Sequence, residues 1–234
     1  MTASLRREEL AARLAAVQGR IAAACEASGR RVQDVTLVAV TKTFPASDVR
    51  LLRGLGVRDV GENRDGEAAP KAAQCADLDL VWHFIGQVQT NKAVSVARYA
   101  AFVHSVDRPR LIRALGAGAR RAERVIECMI EVSLDGDPAR GGALAADVPG
   151  LAEALLAEEG LVLAGVMAVA PLGMPPAAAF TKLLDSAAAV RAVRPAATAI
   201  SAGMSGDLEA AIAVGATHVR IGTALLGDRG THVR

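Results

Sequence analysis

The sequence is poor in the residues that mark several large classes of protein. Aromatic residues make up 3% of its 234 residues, so few side chains could stack on nucleic-acid bases. Lysine plus arginine (27) nearly balance aspartate plus glutamate (25), and no run of one charge is present. The sequence therefore predicts neither a nucleic-acid-binding surface nor a membrane-binding patch.

Cysteine is also scarce, and long apolar runs are missing. The three cysteines, Cys25, Cys75 and Cys128, are odd in number and widely spaced, so we expect free thiols in a reducing compartment. No run approaches the roughly 18 apolar residues of a membrane helix, and residues 1–10 carry charges where a secretory signal is apolar. These absences predict a soluble cytoplasmic protein.

Apolar segments of two kinds alternate along most of the chain. Apolar residues make up 52% of the sequence, enough for a sizeable core. Strand-like, β-branched runs lie near 35–41, 57–60, 80–85, 102–106, 125–133, 161–169, 197–201 and 217–222. Segments with helical periodicity lie between them, for example at 107–122, 147–159, 176–194 and 206–214.

This alternation predicts βαβ units and a parallel sheet, in the α/β class. Eight such units in about 200 residues are typical of a single (β/α)8 TIM-type barrel. A doubly wound open sheet is the alternative, because the second strand is short. An extra amphipathic helix is expected at about 4–28, before a barrel at about 34–227. No linker divides the chain, so we expect one domain over 1–234.

Lys42 is the most informative residue at the predicted strand ends, where functional residues of such barrels gather. The sequence has four lysines against 23 arginines, so solvated positive charge comes mostly from arginine. Val38, Val40 and Lys42 share a strand face, which places the amine in the barrel mouth. Burial and the charge of Arg220 would favour a free amine that can form a Schiff base. A structural lysine paired with a carboxylate is the alternative.

The ends of strands seven and eight offer what a phosphate requires. Ser201, Ser205 and Thr223 supply hydroxyl groups, and the glycines of the segments 201–206 and 222–223 allow close backbone approach. Phosphate sites after strands seven and eight recur in this fold. Two such clusters on adjacent strands, opposite a buried lysine, predict a phosphate-bearing ligand.

Arg220 lies one step deeper on the face it shares with Gly222. There it would meet the ring nitrogen of a pyridine cofactor and, being protonated, keep that nitrogen unprotonated. An unprotonated ring is a poor electron sink, which disfavours most chemistry of such cofactors. The alternative for Arg220 is an internal ion pair with an inward-facing Glu131.

Other polar residues give weaker signals. His83 could cover a cofactor or be a hydrogen-bonded core residue, and Asn63 could cap the next helix. The remaining histidines, His104, His218 and His232, are scattered without metal-ligand spacing, so no metal site is expected. The aromatic neighbours of His83 are expected to pack against helices.

Six segments carry a resemblance to a known family. They are VAVTKTFPASDV (38–49), GENR (61–64), WHFIGQVQTNK (82–92), SVDR (105–108), GVMAVAP (165–171) and SAGMSGDLEAAIAVGATHVRIGTALLG (201–227). In this order they resemble the YggS-like (PROSC) pyridoxal phosphate homeostasis proteins. These proteins have a barrel like the N-terminal domain of alanine racemase and bind pyridoxal 5'-phosphate (PLP) as an internal aldimine.

The resemblance implies a role for each matching residue. Lys42 would be the Schiff-base lysine, and Arg220 would face the ring nitrogen. Asn63 and His83 would line the open side of the cofactor. Ser201, Ser205, Gly222 and Thr223 would hold the phosphate, and Met204 would also bind the cofactor.

The resemblance also implies a function in PLP supply without established catalysis. It implies a monomer or weak dimer, and it leaves PLP-dependent apo-enzymes as candidate recipients of the cofactor. Two residues depart from the family pattern: Arg140 stands where a lysine is usual, and Ser133 where an asparagine is usual. Any role that needs a lysine amine in that loop is in doubt here.

Three other functions compete with this one. A PLP-dependent racemase needs a second proton donor, usually a tyrosine of another domain, and the one tyrosine here is Tyr99. A barrel enzyme that attacks a phosphorylated sugar through a Schiff base would use the same lysine and phosphate site. A pure interaction scaffold would leave Lys42, Arg220 and the glycine clusters unexplained.

Overall fold

Eight parallel strands form a closed barrel in a computed structural model that describes residues 3–137 and 140–227. Each strand pairs with its neighbours in chain order, and β1 pairs with β8. The strands are β1 Thr36–Val40, β2 Asp59–Glu62, β3 Val81–Phe84, β4 Phe102–Val106, β5 Ile126–Glu131, β6 Leu161–Met167, β7 Ala199–Ser201 and β8 His218–Ile221. The predicted (β/α)8 barrel is therefore confirmed, and the open-sheet alternative is wrong.

Helices surround the barrel. They are α1 Ala3–Ala27, α2 Ala46–Gly54, α3 Asp65–Gln74, α4 Ala93–Val96, α5 Pro109–Arg121, α6 Val148–Leu156, α7 Pro176–Val193, α8 Leu208–Ala213 and α9 Thr223–Leu226. No helix in the described ranges is both long and apolar enough to cross a membrane. That residues 1–234 form a single domain stays a prediction.

The N-terminal helix α1 occupies the place of an eighth barrel helix. Within the described residues, α9 is the one helix that follows β8, and its four residues are too few to cover the strand. The apolar side of α1 packs against α2, α8 and α9 instead. Leu10, Leu14, Val17 and Ile21 are buried there with residues of β8 such as Val219. The extra helix expected from the sequence thus completes the outer ring.

The outer face of the strands is buried beneath the helices. In β5, Ile126, Cys128 and Ile130 are completely buried in this layer. Burying a side chain of this size contributes about 1.5–3 kcal/mol each, so the layer is a main source of stability. Trp82 and Phe84 also face outward into it, as the sequence predicts.

One glycine is required for closure between β6 and β7. A Cβ atom on Gly165 would lie 1.8 Å from the carbonyl oxygen of Ala199 on the neighbouring strand. Any larger residue would push β7 outward, and β7 carries the polar loop that follows Ser201.

Candidate functional site

A pocket of about 320 Å³ opens at the carboxyl ends of β1, β7 and β8. Its apolar wall is formed by side chains such as Val40, Phe44 and Ile85. Six of the residues expected at the site line it together: Lys42, Met204, Ser205, Arg220, Gly222 and Thr223. The sequence therefore identified the two opposite sides of one cavity, a lysine side and a hydroxyl- and glycine-rich side.

Lys42 stands two residues beyond the end of β1, between two anchored neighbours. The hydroxyl of Thr41 donates to the Glu62 carboxylate at 2.7 Å, and its carbonyl accepts from Lys71 at 2.8 Å. Thr43 has a φ of +68°, and its backbone N–H donates to a carboxylate of α3 at 3.1 Å. These bonds fix the backbone on both sides of Lys42, so the amine reaches the pocket from a defined position.

A buried ion pair lies behind this loop. Lys71 of α3 contacts the Glu62 carboxylate, and both side chains are almost completely removed from solvent. Burial raises the pKa of Glu62, an effect that the bonds from Lys71 and Thr41 oppose. The second carboxylate oxygen of Glu62 is buried without a partner. Reasoning from the sequence missed this pair, because Glu62 and Thr41 face outward, away from the pocket.

The loop after β7 supplies the polar side of the pocket. Gly203 has a φ of +90°, and a Cβ there would lie 2.6 Å from Ala211, so this turn requires glycine. The hydroxyl of Ser205 accepts from the backbone N–H of Ala224 at 3.2 Å. That bond joins the loops after β7 and β8. It brings Ser205 beside Thr223, where hydroxyls and glycine backbone face one cavity.

Arg220 forms the deep end of the pocket. It is 4% exposed, and its guanidinium donates to Ser201 Oγ at 2.6 Å and to the Ala168 carbonyl at 2.9 Å. Burial lowers the Arg220 pKa to about 10, partly opposed by the charge of Glu131, so the side chain stays a cation near neutral pH. Arg220 makes no ion pair with Glu131 in the described part of the chain. The alternative, an ion pair between Arg220 and Glu131, is therefore wrong, because the guanidinium binds Ser201 and the Ala168 carbonyl instead.

Two expected site residues lie beneath the pocket rather than in it. Ser201 is completely buried between Arg220 and His104, whose Nδ1 lies 2.8 Å from the hydroxyl. His83 contacts His104 at 2.9 Å and Asp59 at 3.0 Å, and it stacks on a phenylalanine ring. The sequence indicated the inward face of both residues correctly but not their depth along the barrel.

Asn63 is half-buried just after β2 and is not among the residues that line the pocket. Its backbone packs closely on Gly86, where a Cβ would lie 2.3 Å from the Asn63 carbonyl oxygen. The residue before α3 is Arg64, so Asn63 does not cap that helix. Its expected place on the open side of a cofactor stays a prediction.

Histidines that look scattered in the sequence meet inside the barrel. The rings of His83, His104 and His218 lie 5.1–6.1 Å apart, between centroids. Burial lowers the pKa of His218 to about 4 and that of His104 well below its ordinary value, so both are neutral near pH 7. Across the described ranges, no three potential ligands are arranged to hold a metal ion. His232 lies outside the described residues.

The loop after β5 carries the two departures from the family pattern. Arg140 donates to Asp135 at 2.7 Å and to backbone carbonyls after β6 at 3.3 Å. Ser133 accepts the backbone N–H of Gly136 at 3.0 Å. Both side chains therefore fold the loop onto itself and onto its neighbour, beside a separate cavity of about 190 Å³.

Known proteins are similar to this chain in sequence and in fold. A family described as "Alanine racemase, N-terminal domain" matches residues 13–230. The pyridoxal phosphate homeostasis protein of Mycobacterium tuberculosis is 45% identical, and the match covers 96% of this chain and 94% of that protein.

Two solved structures are informative. PipY of Synechococcus elongatus, solved with PLP bound, is 33% identical with a TM-score of 0.81, and the match covers 93% of this chain and all of PipY. Alanine racemase of Streptomyces coelicolor, 19% identical with a TM-score of 0.72, shares the fold over 92% of this chain but only 59% of its own length. The chain therefore belongs to the alanine racemase N-terminal domain family and, within it, to the pyridoxal phosphate homeostasis proteins.

Proposed function

We propose that this chain binds PLP, holds it on Lys42, and serves in intracellular PLP homeostasis without robust catalysis of its own. The observation that carries the proposal is the pocket itself. One lysine faces two hydroxyls and glycine backbone across a cavity of about 320 Å³, with a buried arginine at its deep end. This volume is at the small end of ligand pockets, as a small cofactor requires.

The polar side of the pocket fits a phosphate. Ser205 and Thr223 offer hydroxyl donors, and Gly206 and Gly222 border the cavity without side chains. A Cβ on Gly222 would point toward Val40 at 3.5 Å, so the backbone there is close to the apolar wall. These groups would hold the phosphate, while Val40 and its apolar neighbours would contact the ring.

When bound, PLP supplies an aldehyde that an amine captures as a Schiff base and a pyridine ring that can act as an electron sink. Lys42 is the amine at the pocket. Arg220 would donate to the ring nitrogen and, as a cation, would keep a proton off it. The sink is weak in that state, which supports a carrier or regulator rather than an enzyme.

The position of Tyr99 counts against the racemase alternative. Its hydroxyl contacts Asp65 at 3.3 Å, and its ring packs edge-on against Trp82, on the outer side of the barrel. It is therefore remote from the pocket and unable to protonate a substrate there.

The decisive test is the absorption spectrum of the purified protein between roughly 300 and 500 nm, before and after borohydride, because a Schiff base conjugated to the ring absorbs there. We expect a band that borohydride removes and that Lys42→Ala lacks. The control is Lys182→Ala, an exposed lysine of α7, which should keep the band. After reduction, the mass of the cofactor should be found on the peptide containing Lys42.

A colourless protein that takes up no added PLP would contradict the proposal and favour a Schiff-base enzyme for phosphorylated sugars. The recipients of the cofactor, which we expect to be PLP-dependent apo-enzymes, stay predictions. A cytoplasmic location and a monomeric or weakly dimeric state stay predictions as well.

A further inference from the structure

A continuous row of hydrogen bonds runs through the barrel interior beneath the pocket. It joins five residues from five strands: Arg220, Ser201, His104, His83 and Asp59. The successive distances are 2.6, 2.8, 2.9 and 3.0 Å. The three middle residues are at most 1% exposed, and the Asp59 side chain is 28% exposed at the opposite end of the barrel.

The two ends of this row fix its direction. Arginine can only donate, so Ser201 Oγ accepts from Arg220, and it donates its one hydrogen to Nδ1 of His104 when that nitrogen carries no proton. A neutral His104 then carries its proton on Nε2 and donates to Nδ1 of His83. His83 in turn donates from Nε2 to the Asp59 carboxylate, which can only accept. With one proton on each imidazole ring, each group therefore has one role, and the row has one polarity.

This row anchors the arginine at the deep end of the pocket. Two of the five N–H groups of Arg220 have partners in the described part of the chain, Ser201 Oγ and the Ala168 carbonyl. Both partners hold the guanidinium, and the residue still lines the cavity. Its remaining donors are thereby left for a ligand.

We propose that Ser201, His104, His83 and Asp59 form a positioning row that orients Arg220 toward the ring of the bound cofactor, and that Ser201 does not bind the phosphate. The proposal rests on the proposed function for the identity of the ligand. It reassigns Ser201, because its one hydrogen is committed to His104 and its oxygen to Arg220. The phosphate is then left to the Ser205 and Thr223 side.

The first test needs no cofactor. In protein labelled with 15N-histidine, two-bond proton–nitrogen spectra report which ring nitrogen carries the proton. We expect Nε2–H tautomers for both His104 and His83, with the signals assigned through His104→Asn and His83→Asn. An Nδ1–H tautomer at His104 would overturn the proposal, because Ser201 would then receive two donors and could give its hydrogen to the pocket.

The second test separates ring orientation from phosphate binding by titrating the protein with PLP and with pyridoxal, which lacks the phosphate. Ser201→Ala and His104→Leu should weaken both ligands by about tenfold, or ~1.4 kcal/mol, and leave their ratio unchanged. His104→Asn should recover much of the loss, because its side-chain oxygen can replace Nδ1 as the acceptor. Ser205→Ala should instead weaken PLP alone.

The outcomes are distinct. If wild-type protein binds no PLP, the proposed function fails, and the role of the row toward a cofactor fails with it. If wild type binds PLP but Ser201→Ala weakens only PLP and not pyridoxal, Ser201 is a phosphate ligand and this inference alone is wrong. Ser201→Ala and His104→Leu proteins that bind both ligands like wild type would also refute it. Urea unfolding of each variant checks that it is folded.

Discussion

At the scale of single residues, the barrel interior holds a largely buried carboxyl group whose negative charge the fold does not fully compensate. Glu131 ends β5 on the inward face, near Arg220 and Asp107. Burial and the charge of Asp107 raise its pKa from an ordinary 4.5 to about 7, although Arg220 and Arg140 act in the opposite direction. A carboxyl in this state makes the stability of the protein depend on pH.

Neutralising Glu131 should therefore stabilise the protein at high pH. Between pH 4.5 and about 7 the folded protein holds a proton that the unfolded chain has lost, so stability declines as pH rises through this window. Glu131→Gln imitates the protonated form. We expect it to be more stable than wild type by about 3 kcal/mol at pH 8 and nearly equal at pH 4, in urea unfolding without ligand.

Glu127→Gln is the matched control, since it changes an exposed glutamate four residues earlier on the same strand. It should leave the pH profile unchanged. If Glu131→Gln and wild type were equally stable at pH 8, the negative charge of Glu131 would carry no free-energy cost in the folded protein, and the prediction would be wrong.

For single residues, the sequence predicts which face of a strand a side chain is on but not how deep it lies in the barrel. Alternation along a strand correctly assigned Lys42 and Arg220 to the interior, because side chains of one face repeat every second residue. It could not assign depth, which depends on the stagger of neighbouring strands, so Ser201 and His83 were expected in the pocket and lie below it. It also could not bring His104 to His83 or Ser201, since such contacts across a barrel join residues distant in sequence.

At the scale of elements, α1 supports the pocket as well as the core. Arg20 donates to the Ser205 carbonyl at 3.0 Å and pairs with Glu209. Arg6 contacts Asp48 and the Leu226 carbonyl, and its guanidinium lies 5.7 Å from the ring centre of Phe44. One helix thus contacts the loops after β1, β7 and β8, which together form the pocket.

Arg20→Ala should loosen the loop that contains Ser205. We expect the affinity for PLP to fall about threefold, the size of one partly exposed hydrogen bond, with a smaller effect on pyridoxal. Absorbance titration of both ligands measures this. Because Arg20 also pairs with Glu209, the control is Glu209→Ala, which removes the exposed ion pair but keeps the bond to Ser205, and which should change the affinity little. Equal losses in the two variants would assign the effect to the ion pair instead.

The order of elements was predictable because strands and long helices differ in the period of their apolar residues. The helices α4 and α9 were not predictable in this way, since four residues make only about one turn and cannot repeat a pattern. The role of α1 was hidden for another reason. Its apolar side is evident in the sequence, but the gap beside β8 that it fills exists only once the barrel is closed.

At the scale of the whole molecule, α1 makes the ring of helices continuous although it comes first in the chain. The described residues of α1 begin beside the end of α9, because Arg6 contacts the Leu226 carbonyl at 3.1 Å. The other end of α1 is followed by an exposed turn at Gly29, which has a φ of +63°. The helix could therefore be connected to the barrel at either end without changing its place.

A circular permutant tests this view of the molecule. It begins at Gly29, runs to Arg234 and continues with residues 1–28, so that residues 228–234 become the linker to α1. We expect it to fold, to retain PLP uptake, and to unfold within about 5 °C of wild type, because the contacts of α1 with α8, α9 and β8 are restored.

The control for the permutant is a variant that lacks residues 1–28. That variant exposes the apolar surface of α8 and β8 that Leu10, Leu14, Val17 and Ile21 cover, a loss of several buried side chains worth about 1.5–3 kcal/mol each. Such a loss is comparable to the whole stability of a typical domain, so we expect aggregation or unfolding. A deletion variant that folds and takes up PLP like wild type would mean that α1 is dispensable. A permutant that fails to fold would mean that α1 must be joined to β1 for the barrel to form.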